Sequence, residues 1–90
     1  MEEYIIVEDF CASHNIEISF ISSISEMGLI EIQQNQIPAA ELDRLERIVH
    51  FYSDLDINPE GIDTILHLLD RMNEMQEEIR VLRNRLGLYE

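Results

Sequence analysis

The chain has 90 residues, a hydrophobic share of 46% and a formal net charge of −13 at pH 7. That length holds one small domain, and that hydrophobic share is enough to fold it despite the charge. The acidity, carried without a single Lys, works against anionic membrane surfaces and points to basic partners or to plain solubility. No apolar run approaches the roughly 20 residues that span a bilayer. The start, Met1-Glu2-Glu3-Tyr4, is acidic and unlike a secretory leader. One cysteine, Cys11, permits no internal disulfide. A soluble cytoplasmic protein is expected.

Tyr4, Ile5, Ile6 and Val7 form a short β-prone run. From Glu8 the pattern turns helical, with Phe10, Cys11 and His14 on one face and Asn15 as a stop. Ile16 tucks into a turn, and Ser19 is the expected N-cap of a second short helix with Phe20, Ile21, Ile24 and Met27 apolar. Gly28 is placed to end it as the C′ residue. Leu29 to Gln33 then alternates like a strand. Gln34-Asn35-Gln36 makes a polar tip and Ile37 begins the return, so a small β-wing is expected, paired with the Tyr4–Val7 run. Pro38 fits the first turn of a third helix, whose Leu42, Leu45, Ile48, Val49 and Tyr52 recur at helical spacing to about Leu55.

Asn58-Pro59-Glu60 is the clearest helix start. Asn58 caps, Pro59 takes the first helical position, and Glu60 and Asp63 lie near the positive end of the helix dipole. The spacing predicts a helix from Pro59 to about Leu86, stopped at Gly87. At 1.5 Å per residue it is roughly 42 Å long, more than so small a domain can cover. Along it Ile65, Leu68, Met72, Met75, Ile79, Leu82 and Leu86 alternate in steps of three and four. These are the a and d positions of three heptads. Ile62, Leu66 and Leu69 form a second apolar edge confined to the first half. The first half should pack on the domain, and the second should project and join a second copy along the seam. Glu78 with Arg83 or Arg85 flanks that seam in a way that suits parallel and antiparallel pairing alike. Residues 1–57 and 58–90 are thus a compact part and a dimerisation helix of one structural unit.

The chemistry-bearing residues do not assemble into a reactive site. Cys11 and His14 lie three apart with His50 and His67 downstream, but a metal site needs converging ligands and repeated spacing. An ordinary half-buried cysteine and three ordinary histidines are the better reading. No base is placed beside Cys11, no glycine-rich phosphate loop occurs, and no carboxylate sits in an apolar run. The sequence therefore predicts neither enzyme nor cofactor nor metal site. Glu41, Asp43, Glu46, Asp54, Asp56, Glu60, Asp63 and Asp70 are individually best read as solvated; as a group they suit a basic partner. Among them Glu41, Asp54, Asp56 and Glu60, around the third helix and the turn after it, are the candidate partner contacts.

The order helix, turn, helix, wing is that of a DNA-reading helix-turn-helix. Yet the first 43 residues carry nine acidic side chains and no Lys or Arg; the six Arg begin at Arg44. DNA affinity depends on cations neutralising phosphates, so specific DNA is not an expected partner. The shape is expected to serve protein recognition.

Glu8-Asp9-Phe10-Cys11, Asn15-Ile16 and Met27-Gly28-Leu29-Ile30-Glu31 resemble the opening of the chaperone-modulator (CbpM-type) proteins, within the MerR-like helix-turn-helix superfamily. Asp54 to Ile62, Leu69-Asp70 and the closing Ile79-Arg80-Val81-Leu82-Arg83-Asn84-Arg85-Leu86 are similar to that family's long C-terminal helix. The resemblance implies a mainly α fold: a MerR-like winged helix-turn-helix with a small β-wing and a long C-terminal helix forming a dimeric coiled coil. It also implies a bacterial regulator that binds and inhibits the J-domain of a DnaJ-like co-chaperone. MerR-type DNA-binding transcription regulators, the alternative, carry Arg and Tyr where this chain has Ser22, Ser23 and Ile24. They carry cations in the wing, where it has Glu31 and Gln33 to Gln36.

Overall fold

The computed structural model describes residues 3–87. Met1 and Glu2, part of the acidic start, lie outside the described residues, as do the last three residues of the expected dimerisation segment. The elements run β1 (Tyr4–Ile6), α1 (Val7–His14), α2 (Ile18–Glu26), β2 (Gln36–Pro38), a 3-10 turn (Ala39–Glu41), α3 (Leu42–Ser53) and α4 (Pro59–Arg85). Fourteen apolar side chains from all these elements except β1 and the 3-10 turn, and from the loop after α2, form the core. Ile21, Ile24, Ile37, Leu45, Ile48 and Ile62 are its fully enclosed members.

α1 and α2 form the helix-turn-helix. Asn15 takes the left-handed conformation at φ 56°, and its N–H and that of Ile16 both donate to the Cys11 carbonyl. That is how an asparagine stops a helix: its short polar side chain tolerates αL where a branched one does not. α2 begins one residue before Ser19. Glu17, extended, is the N-cap without a side-chain bond, and Ser19 instead offers its carbonyl to the Ser23 hydroxyl. The start is fixed by burial, because a helix entered at Ile18 turns Phe20, Ile21 and Ile24 together into the core. Gly28, at φ 79°, ends α2 as expected, with Leu29 N–H returning to the Ile24 carbonyl at 2.9 Å.

The expected strand over Leu29–Gln33 does not form. Leu29 and Ile30 are consecutive and both buried, which the two-residue period of a strand forbids when only one face is covered. Side chains of the next segment take the backbone groups that a ladder would use: Arg44 Nε donates to the Leu29 carbonyl at 2.6 Å, and Glu31 N–H donates to Glu41 Oε1 at 2.8 Å. The wing narrows to a Gln33–Gln36 bridge around Gln34 and Asn35, at φ 52° and 63°. Two successive positive φ values mark the tight turn whose twist matches a hairpin. Beyond it β2 pairs antiparallel with β1, Ile5 opposite Ile37, so the pairing of wing and N-terminal run is as expected.

Pro38 is the last residue of β2, opposite Tyr4, not a helical residue. The 3-10 turn separates it from α3, which ends at Ser53 rather than Leu55. Asp56, at φ 56°, turns the chain toward α4. There Asn58 Oδ1 accepts from the Gly61 N–H at 2.8 Å and Pro59 occupies the first turn. Ile62 and Leu66 anchor α4 in the core, with Ile65 and Leu69 half-buried. From Asp70 to Arg80 every residue is exposed. The radius of gyration is 16.7 Å, where a globule of this length has about 12 Å. The excess is the projecting half of α4.

Candidate functional site

Two surfaces stand apart from an ordinary solvated exterior. The first is the face made by α2 and the wing. Ile24 and Ile21 lock one side of α2 into the core, so Ile18, Ser19, Ser22 and Ser23 face outward. Of the positions compared with DNA readers, Ser22 and Ser23 are exposed, whereas Ile24 is fully buried and reads nothing. Asn35 Nδ2 donates to both carboxylate oxygens of Glu8, at 2.6 and 2.9 Å, which ties the wing tip to α1. Between α2 and the wing lies an open cleft of ≈ 310 Å³. Val7, Ile21 and Ile32 give it an apolar floor; Ile18, Ser22, Gln34 and Asn35 are its exposed walls. Glu26 closes one end, and no cation lines it.

The second surface is the heptad seam. Leu68, Met72, Met75, Ile79, Leu82 and Leu86 are all exposed, Leu82 by 54%. Ile65, at the root, is half-buried. At 100° per residue the seam and the core-facing edge of Ile62, Leu66 and Leu69 lie roughly 120° apart around the helix. α4 therefore packs on its own core with one face and presents the seam on another. On the side of the helix turned away from the seam, Arg80 makes a two-point pair with Glu77, at 2.6 and 3.0 Å. Arg80 holds the Glu77 carboxyl below its ordinary range, and Glu77 raises the guanidinium in return. Both groups are fully exposed, so the pair contributes little to stability.

The four candidate acids do not share one patch. Glu41 precedes α3 and is committed to the Glu31 N–H. Asp54, Asp56 and Glu60 follow α3, about 18 Å further along at helical rise, and all three are exposed. Asp54 Oδ2 lies 2.7 Å from His50 Nδ1. The turn they occupy adjoins the start of α2, because Tyr52 stacks on Phe20 with ring centroids 3.8 Å apart and its hydroxyl donates to Glu17. Lost solvation raises the Tyr52 hydroxyl's pKa first, and the charges of Glu17 and Asp56 add to it. Nothing in the sequence marks Glu17; only the fold brings its carboxylate to the Tyr52 hydroxyl on α3.

Cys11 and His14 do not converge. Cys11 is buried, and burial followed by the Glu8 charge pushes its thiol up, which favours the unreactive protonated form. His14 stacks on Phe10, its Nδ1 3.1 Å from the Phe10 carbonyl. His67 turns back to Asp63 on its own helix. Among the described residues no three His, Cys, Asp or Glu side chains are grouped to hold a metal, and no helix is long and apolar enough to cross a membrane.

A helix-turn-helix whose second helix is backed by a two-residue wing turn, followed by a long helix, defines a winged helix-turn-helix protein. A family model described as MerR HTH family regulatory protein matches residues 5–84. The chain belongs to the MerR helix-turn-helix family. No curated protein matches it, and no solved structure matches it.

Proposed function

We propose that this family member is a protein-binding regulator of the chaperone-modulator type. It binds the J-domain of a DnaJ-like co-chaperone and blocks that domain's access to its heat-shock chaperone partner, acting as a homodimer joined along the α4 seam. The observation that supports the reading is the missing charge on the face a winged helix-turn-helix would turn to DNA. Neither α2 nor the wing holds a Lys or Arg. A duplex needs cations there both to neutralise phosphates and to fix register. An acidic chain instead attracts a basic protein surface from a distance, with a force that fades within about 8 Å at physiological salt.

Calorimetry against a J-domain tests this. Binding should weaken from low to high salt, and reversing Asp54 and Asp56 to Lys should slow association several-fold with the fold intact. No binding at low salt removes the partner. The family's description as regulatory proteins favours one other reading, a MerR-type DNA-binding transcription regulator. A gel shift showing a defined operator bound at nanomolar affinity in physiological salt would establish it in place of the first.

A further inference from the structure

We propose that the cleft between α2 and the wing is the docking groove for a cationic amphipathic helix of a protein partner, which lays its apolar face on Ile18 and Ile32 and its Lys or Arg side chains on the acidic rim. The inference rests on reading this chain as a protein-binding member of its family; it does not require the partner to be a J-domain. Three observations converge on it.

The cleft offers apolar surface that solvent reaches: Ile18, in its wall, is 49% exposed although it opens a helix whose other apolar residues are enclosed, and Ile32, in its floor, is half-buried. Its ≈ 310 Å³ is the lower end of small-molecule sites, but such sites wrap most of their ligand, and here the walls Ser22, Gln34 and Asn35 are all exposed. An open trough of this kind suits a helix presenting two or three side chains.

One carboxylate lines the trough and two more belong to residues bonded or adjacent in sequence to its walls. Glu26 closes the C-terminal end of α2. Glu8 stands at the wing tip, held by Asn35. Glu17 immediately precedes Ile18, its carboxylate accepting from the Tyr52 hydroxyl at 3.4 Å. With no lining cation, the charge is complementary to Lys and Arg and repels phosphate.

The groove is also held open in advance. The wing tip is fixed by Asn35 on Glu8 and by the Val7 N–H on the Asn35 carbonyl at 3.1 Å. Little ordering is then left to offset the contacts made on docking.

A synthetic Leu/Lys amphipathic helical peptide, titrated into isotope-labelled full-length protein, provides the test. Amide shifts should cluster on Ile18, Ser22, Ile32 and Asn35, and affinity should fall as salt rises. Ser22→Arg, at an exposed position, places a cation in the trough and should weaken binding at least about tenfold with the spectrum otherwise unchanged. Ile18→Ser trims the exposed apolar wall without adding charge and should weaken it too. Ile79→Asp with Leu82→Asp, on the distant seam, should not. Shifts confined to the seam or to the outer face of α3, unchanged affinity in Ser22→Arg, or no binding at low salt would each overturn the groove. A J-domain that fails to bind while the peptide does removes the chaperone-modulator reading and leaves the groove. A J-domain that binds equally well to wild type and Ser22→Arg does the reverse.

Discussion

α4 is a single uninterrupted helix in two surroundings. Its first eleven residues, from Pro59 to Leu69, follow a side-chain cap at Asn58 and contain a proline at the start and two side chains enclosed by the core. Its last sixteen, from Asp70 to Arg85, touch the core nowhere along residues 70–80 and expose a line of large apolar side chains. A free helix of that length is marginal in water. The distal half gains from good helix formers, from the Glu77–Arg80 pair and from continuity with an anchored base. It leaves its heptad seam wet, at a cost that a second copy would remove. A residue near the base should therefore act on folding, and one near the tip on association.

The largest expected effect is Ile62→Ala. Deleting an enclosed aliphatic side chain at the root should lower unfolding free energy by about 2–5 kcal/mol. Denaturant unfolding at several protein concentrations checks it. Next is Ile79→Asp with Leu82→Asp, which should halve the mass seen in sedimentation equilibrium while the compact part keeps its spectrum. A wild type already monomeric at micromolar concentration would break the comparison at its distal end.

A smaller effect is expected at Gly61. A methyl there would lie 2.8 Å from Ile57 Cγ2 and 3.1 Å from the capping Asn58 Oδ1. Overpacking costs about 1–3 kcal/mol, against a gain of up to about 1 kcal/mol for replacing helical glycine by alanine. Gly61→Ala should therefore destabilise modestly, by about 1 kcal/mol, close to the loss expected from Asn58→Ala through its cap. Thermal midpoints of the two variants should fall together.

The smallest concerns pH. Glu77 is held below its ordinary pKa by Arg80, so whatever stability the pair confers is present above the unfolded value and lost as pH falls through the folded one. Arg80→Ala should return the Glu77 titration to the usual carboxylate range by NMR. The unfolding midpoint should barely move, because both groups are in water.

Much of this fold was legible from spacing and punctuation. Asn15, Gly28 and Asn58-Pro59 mark element ends by local chemistry, and each ends or starts a helix where expected. The two edges of α4 could be separated because one stops at Leu69 while the other continues to Leu86. The errors lie where distant residues decide. Leu29 to Gln33 alternates like a strand, but Arg44 and Glu41, ten and more positions away, claim its backbone. Ser19 is a good cap by type and lost to the burial of Phe20 and Ile21. Pro38 suits a helix start equally well as a strand end. For the candidate site, the lack of cations was plain in the sequence. The cleft was not, since Ile18, Ile32 and Asn35 share no local pattern and meet only through the hairpin.

The projecting helix changes how the particle moves through a solvent. With extents of 51 × 35 × 21 Å, a single chain drags more than a sphere of its mass and would leave a sizing column early, as though it were a larger protein. Column position thus confuses elongation with pairing. Sedimentation equilibrium, which depends on buoyant mass and not on shape, separates them. Small-angle scattering adds the orientation: two copies joined with their compact ends together give a shorter maximum dimension than two joined with those ends apart.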